Sequence, residues 1–316
     1  MILNPPKIVV ITGPTATGKT QLSVALAKEF DGEIVSADSM QLYRRMDIGT
    51  AKVTLEETEG IPHHMVDIAE PNEAYSVARY VAEASTAIED ILARGKLPIV
   101  VGGTNLYIDS LISGRDFADN GEDNSLRLEI DAEYEEKGGE KMLEILREFD
   151  PERAAKLHPA DRRRIVRAIE IFRLTGKTIT QHDLETQAVP PRYDAAMIAL
   201  DFEDRADLYA RIDRRVDLMA EQGLFEEVRA LLDEGISEGS TAMQAIGYKE
   251  PAAFFRGEIT KEEAIELIKR ESRRYAKRQL TWLRRNEKLF WIRHKAVPDF
   301  NEARRLSTEF LHTFGL

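Results

Sequence analysis

The run Gly13-Pro14-Thr15-Ala16-Thr17-Gly18-Lys19-Thr20 constrains this chain more than any other stretch, because it fits the phosphate-binding pattern G-x-x-x-x-G-K-[ST] at every fixed position. Its flanks agree. Ile8-Val9-Val10-Ile11 reads as a buried strand, and Gln21 to Phe30 as a helix with Leu22, Leu26 and Phe30 on one face. A strand that feeds a glycine-rich turn into a helix N-terminus aims backbone N–H groups and the positive end of the helix dipole at one point, where an oligophosphate binds. Lys19 adds a point charge there, and the Thr20 hydroxyl is a ligand for Mg2+. The loop predicts bound phosphates and leaves open whether a phosphoryl group is what moves.

Around the loop the pattern is that of a parallel sheet. Glu33–Ser36, His64–Ile68 and Leu97–Val101 read as further strands, and Ser76 to Ala93 as a helix with Ser76 at its N-cap. From about Asp116 to Pro191 the texture changes, with Arg and Glu alternating with Leu and Ile at helical spacing, and Ala195–Phe202 then returns to a core strand. The fold class expected is α/β, a P-loop NTPase-like parallel sheet core over 1–115 and 192–316 interrupted by a mostly helical insertion over 116–191. Leu208, Ile212, Val216 and Met219 form an apolar stripe expected to pack on the sheet.

Composition removes several classes. The chain has 316 residues and no cysteine, so neither a disulfide framework nor a thiolate metal site is available. No apolar run reaches membrane-spanning length, and Met1-Ile2-Leu3-Asn4-Pro5-Pro6 lacks the pattern of a signal peptide, so a cytoplasmic protein with no membrane partner is expected. The net charge of −12 argues against indiscriminate nucleic-acid binding.

Three constellations narrow the chemistry. Asp38 follows the second strand, at the edge where open parallel sheets bind ligands; there it is suited to hold Mg2+, to act as a general base or to cap a following helix. Gly102-Gly103-Thr104 sits at the same edge after the fourth strand, and that strand ends without the acid of a Walker B segment, which counts against an ATPase or kinase. Two basic clusters stand out in an acidic chain. Arg270, Arg274, Lys277 and Arg278 share a helical face with Leu280, Trp282 and Leu283 as packing, and Arg162, Arg163, Arg164 and Arg167 lie in the insertion. Positive charge so confined points to a polyanion held in one place.

These residues together resemble the tRNA dimethylallyltransferase family, also called tRNA isopentenyltransferases. The resemblance runs through Gly13–Thr20, Asp38-Ser39-Met40-Gln41-Leu42-Tyr43-Arg44, Met46-Asp47-Ile48-Gly49-Thr50-Ala51-Lys52 and Gly60-Ile61-Pro62-His63-His64. It continues through Gly102–Tyr107, Asp161–Glu170, Ala245-Ile246-Gly247-Tyr248 and Ala276–Trp282, and so covers nearly the whole chain. It implies transfer of a dimethylallyl group from dimethylallyl diphosphate to N6 of adenosine 37 in tRNA, with Mg2+ as cofactor, by a monomer of bacterial type. By similarity Asp38 takes or orients the N6 proton and Thr104 contacts the reacting region. Asp38, Ser39, Met40 and Gln41 hold the flipped base, and Arg127, Arg163, Arg164, Ile165, Val166, Arg167, Lys277 and Arg278 contact tRNA. The rival readings are an adenylate isopentenyltransferase acting on free nucleotide and a P-loop small-molecule kinase using ATP.

Overall fold

A computed structural model describes residues 5–114, 125–187 and 189–316. In chain order the first elements are β1 (Lys7–Thr12), α1 (Lys19–Glu29), β2 (Gly32–Ser36), β3 (His63–His64), α2 (Val77–Ala93), β4 (Leu97–Val101) and α3 (Asn105–Ser113). Helices α4 (Ser125–Phe149), α5 (Pro151–Ala154), α6 (Arg162–Thr175) and α7 (Ile179–Gln187) follow. The chain then runs through β5 (Asp194–Phe202), α8 (Arg205–Glu221), α9 (Leu224–Asp233), α10 (Lys249–Phe255), α11 (Lys261–Leu283), β6 (Phe290–His294) and α12 (Phe300–Phe314).

The chain divides into two compact units, Met1–Ile112 with Arg192–Leu316, and Ser113–Pro191. The boundary expected at residues 115 and 116, like residues 1–4, lies outside the described residues.

In the first unit, six strands form a parallel sheet in the order β3-β2-β4-β1-β5-β6. The central strand β1 is registered on β4 through Val9 and Ile99 and on β5 through Val9 and Ala196. These strands are buried on both faces and read as continuous apolar runs, as parallel strands do. The C-terminal ends of β1, β2 and β4 lie side by side, so the loops that follow them share one edge.

Every regular element among the described residues of the second unit is a helix. Ile130, Met142, Leu146, Ile165, Val166 and Ile169 meet in its apolar core.

Three expectations need correction. The strand expected over 64–68 is confined to His63–His64, because Met65 (φ 63°) and Asp67 (φ 55°) adopt left-handed backbone that no strand continues through. Ile68 and Ala69 instead donate to the Leu42 carbonyl, and Asp67 pairs with Lys52. The stripe on α8 does not lie flat on the sheet. Leu208 and Ile212 pack with Phe202 of β5 and with Ala276 and Leu280 of α11, whereas Val216 and Met219 join a separate cluster with α9 and α11. Trp282 is 41% exposed and adds little packing; its Nε1 donates to Asp109 of α3 at 2.7 Å.

Candidate active site

The loop Gly13–Gly18 is shaped by left-handed backbone and by donors on its carbonyls. Ala16 stands at φ 66°, and Gly18, at φ 86° and ψ 22°, is the N-cap of α1 with no side chain capping it, so the first N–H groups of the helix are left for a ligand. Lys19 Nζ donates to the Gly13 and Pro14 carbonyls at 3.0 and 2.7 Å, Thr17 Oγ1 to Pro14 at 2.9 Å, and Arg211 Nε to Ala16 at 3.1 Å. Arg215, from the same helix as Arg211, donates to Thr15 Oγ1 at 3.2 Å. Burial first, then the Arg215 charge, push the Lys19 ammonium down to about 8, against the pull of Asp38. A cation held that far below its ordinary range has no adequate counter-charge in the protein, and a multiply charged anion supplies one.

Asp38 lies just beyond β2. No helix follows it, so the capping role is excluded: residues 39–42 are turns, and Asp38 Oδ1 accepts the Met40 N–H two residues on at 2.9 Å, an Asx-turn that fixes the carboxylate. The turn after β4 is locked against this segment. Thr104 N–H donates to the Ala37 carbonyl at 3.2 Å, Thr104 Oγ1 accepts the Ser39 N–H at 3.0 Å, and the Thr104 hydroxyl reaches Ser39 Oγ at 3.3 Å. A side chain at Gly102 would overlap the Ala37 carbonyl, so the position after β4 has no room for the acid of a Walker B strand. From α11, Gln279 Nε2 donates to the Gly103 carbonyl at 2.8 Å, and Tyr275 stands on the cavity wall. Burial, reinforced by Asp38, pushes the Tyr275 phenol up to about 12.

Thr15, Lys19, Asp38, Ser39, Gln41, Arg215, Tyr275 and Gln279 stand on the wall of one cavity of about 490 Å3 within the first unit, whereas Thr104 is not part of that wall and meets it through Ser39. The wall is cationic beside the loop and carries apolar side chains from α8 and α11, including Val216, Met219 and Ile268. Arg215 and Tyr275 escape sequence reasoning, their signal being a polar residue on an otherwise apolar helical face, which is weak until the helix is placed; Gln279 lies in the matched segment Ala276–Trp282 but is given no role there. Gly13–Gly18 form the loop, and Lys19 and Thr20 open α1, with Thr20 exposed in its first turn. Among the described residues no cluster of three or more acidic or histidine side chains is built to hold a metal.

The predicted basic groups divide. Of the α11 cluster, Arg270 and Arg274 pair with Glu271, Lys269 with Asp217 and Glu266, and Arg273 with Asp213. Lys277 and Arg278 are exposed with no acidic partner among the described residues, and Arg278 stands on the cavity wall. In the second unit Arg163 and Arg164 are exposed. Arg127 and Arg167 share the buried Glu170 at 3.0 and 2.8 Å; burial raises that carboxyl, and the two guanidiniums more than offset it and hold it below its usual range. Ile165 and Val166 are 0% and 3% exposed in the apolar core, so their side chains are not available to a ligand and the stretch 163–167 presents its arginines alone.

A P-loop α/β core with a carboxylate on the same cavity wall as the Lys19 loop has the frame of an enzyme that acts on phosphate-bearing substrates. Similarity to known proteins narrows the class. Residues 41–286 match the family model of IPP transferase and residues 6–69 that of isopentenyl transferase. The tRNA dimethylallyltransferases of Caldanaerobacter subterraneus subsp. tengcongensis and Acetivibrio thermocellus are 48% and 46% identical to this chain, over 96% and 98% of it and 97% and 98% of their own lengths. The full-length tRNA isopentenylpyrophosphate transferase of Bacillus halodurans superposes with a TM-score of 0.73 at 44% identity, covering 97% of this chain and 96% of that one. A eukaryotic dimethylallyltransferase crystallised acting on tRNA gives a TM-score of 0.82 at 32% identity, covering 98% of this chain and 80% of that one. The chain belongs to the tRNA dimethylallyltransferase family. No helix among the described residues is long and apolar enough to cross a membrane.

Proposed function

We propose that this chain transfers the dimethylallyl group of dimethylallyl diphosphate to N6 of adenosine 37 in tRNA, releasing diphosphate. The observation that carries the reading is the placement of Asp38 on the same cavity as Lys19 and Arg215, with Thr104 bonded to Ser39 of that wall, at an edge where β4 has no room for a Walker B acid. The loop N–H groups, Lys19 and Arg215 bind the diphosphate and stabilise the charge that builds on it as it leaves. The N6 lone pair attacks the allylic C1, the C1–O bond breaks with its electrons going to the diphosphate, and Asp38 takes the N6 proton. Thr104, held by Ser39, keeps its hydroxyl beside the reacting atoms.

A divalent cation, in our reading Mg2+, would be held by the exposed Thr20 hydroxyl and by diphosphate oxygens, with Asp38 on the same cavity wall. An all-oxygen set completed by substrate is what so hard an ion accepts. When bound it neutralises the leaving group. Arg163, Arg164 and Arg167, with Arg127, Lys277 and Arg278, contact tRNA phosphates, and Ser39, Met40 and Gln41 border the flipped base.

Unmodified tRNA incubated with the protein, dimethylallyl diphosphate and Mg2+, then digested to nucleosides for mass spectrometry, should yield dimethylallyladenosine. Parallel reactions with free AMP and with γ-labelled ATP should yield neither prenylated AMP nor labelled RNA. Prenylated AMP in preference to tRNA, or label on any acceptor, would overturn the assignment.

A further inference from the structure

Charge in the second unit is arranged in a way that stability alone does not require. Arg162 pairs with Asp131 and Glu135, and Arg173 with Glu133, acids that keep contact with solvent and take one arginine apiece. Glu170 differs. Its side chain is 2% exposed, and its Oε2 accepts Arg127 Nε and Nη2 from α4 at 3.1 and 3.0 Å and Arg167 Nη1 from its own helix, α6, at 2.8 Å. Among the described ion pairs of this unit no other acid is so buried.

Taking a carboxylate out of water is costly, and one well-placed cation can offset the cost. Here two converge on a single oxygen, so the cluster keeps a surplus positive charge. The surplus lies at the surface, since the side chains of Arg127 and Arg167 are 43% and 35% exposed above an acid that is not. Each guanidinium carries five N–H donors, and Glu170 takes only three from the pair. Among the described residues neither arginine has another hydrogen-bonding partner. Two guanidiniums anchored side by side with donors to spare suit the unesterified oxygens of a phosphodiester, which a planar fork grips in a set orientation where a lysine supplies only a point charge.

We propose that Glu170 is a positioning residue for tRNA binding: it locks Arg127 and Arg167, from two different helices, into one phosphodiester clamp, and touches no RNA itself. This rests on the reading that these arginines meet tRNA phosphates. The charge arrangement gives opposite signs to the two ways the cluster can work. If the unit attracts RNA only as a basic surface, the Glu170 charge opposes binding, and removing it tightens the complex. If Glu170 sets the clamp, removing its charge lets two like charges move apart, and binding weakens although the protein has become more positive.

The test is Glu170→Gln in the full chain, which keeps the side chain's size and removes its charge, with tRNA affinity measured by filter binding over a salt series and dimethylallyl transfer measured alongside. Affinity should fall roughly tenfold, the order expected for one charge-assisted hydrogen bond. The slope of log affinity against log salt should flatten by about 0.7 to 0.9 for a phosphate no longer neutralised. KM for tRNA should rise, with a smaller change in kcat. In a background where Arg127 and Arg167 are both replaced by Ala, Glu170→Gln should cost nothing further, because its effect passes through them. Should Glu170→Gln fail to fold by circular dichroism, Arg167→Lys, which keeps the charge and loses the fork, should lower affinity to a similar degree. Tighter or unchanged binding by folded Glu170→Gln, a loss that persists without the two arginines, or wild-type affinity in Arg167→Lys would each overturn the proposal. The double arginine variant separates two failures. If it binds tRNA as the wild type does, the placement of these arginines on RNA fails together with the clamp, whereas weakened binding there beside an unaffected Glu170→Gln defeats only the role given to Glu170.

Discussion

Lys19 makes the affinity of the loop for its ligand depend on pH in a way that can be calculated. In the free protein burial and Arg215 hold its ammonium down to about 8. A bound diphosphate brings several negative charges against that nitrogen and raises its pKa again, so binding takes up a proton wherever the free site has lost one. The sign follows. The attraction is fully present below the free-state value of about 8 and is lost as pH rises above it, up to the raised pKa of the complex. With a free-state pKa of about 8, roughly a tenth of the free sites are neutral at pH 7 and nine-tenths at pH 9, so affinity should fall about tenfold across that interval. Other neighbours stay silent there, since Tyr275 is pushed up to about 12 and burial holds His294 below the usual imidazole range. The assay is isothermal titration of dimethylallyl diphosphate without tRNA, at pH 7 and pH 9, in two buffers of different ionisation enthalpy. Expected uptake is about 0.1 proton per ligand at pH 7 and about 0.9 at pH 9. Lys19→Ala should bind much more weakly, with a flat profile and no uptake. Zero uptake at pH 9 in the wild type, or a Lys19→Ala variant that keeps the slope, would refute the argument.

Two further expectations concern the other parts of the site. Asp38→Asn preserves the side chain's size and the acceptor for Met40 N–H but cannot take the N6 proton, so kcat for tRNA should fall by about 100 to 10,000-fold with a smaller change in KM; near-normal turnover in single-turnover kinetics would reduce Asp38 to its Asx-turn. Replacing Arg163, Arg164 and Arg167 together by Ala should lower the slope of log affinity for tRNA against log salt by about 0.7 to 0.9 for each phosphate that an arginine no longer neutralises, while dimethylallyl diphosphate affinity stays as it was; an unchanged slope in filter-binding titrations would remove α6 from the RNA interface.

Local chemistry was legible in the sequence where local bonding decides it. The loop Gly13–Thr20 needs only its own glycines, a preceding apolar strand and a following helix, and Leu97–Val101 is a buried strand whatever surrounds it. The chain beyond His64 was misread for the opposite reason. Met65-Val66-Asp67-Ile68 has the composition of a strand, but the left-handed turns at Met65 and Asp67 go with an ion pair to Lys52 and bonds to the Leu42 carbonyl that no short window contains. Ile165 and Val166 show a further limit. A segment matched as a block carries its buried residues along with its exposed ones, and only the helix's orientation separates the arginines from the core.

The residues that fix the candidate site were the least visible, and the cause is physical. A side chain that orients another from a different element must be polar, and a polar residue on an amphipathic helix reads as solvent-facing until the helix is packed. Glu227 follows Glu226 in the first turn of α9, where acidic residues are common because they favour the helix dipole. Nothing in that stretch distinguishes the exposed Glu226 from its neighbour, which accepts the Tyr248 phenol and the N–H groups of Asp47, Ile48 and Gly49, the last three across some 180 residues of chain. Arg215 is hidden in the same way on α8, and Gln279, though inside a matched segment of α11, shows its bond to the Gly103 carbonyl only once the helix is placed. The motifs after β2 and β4 could therefore be read as chemistry, whereas the side chains that aim them became readable only as the partners of backbone groups whose positions were already known.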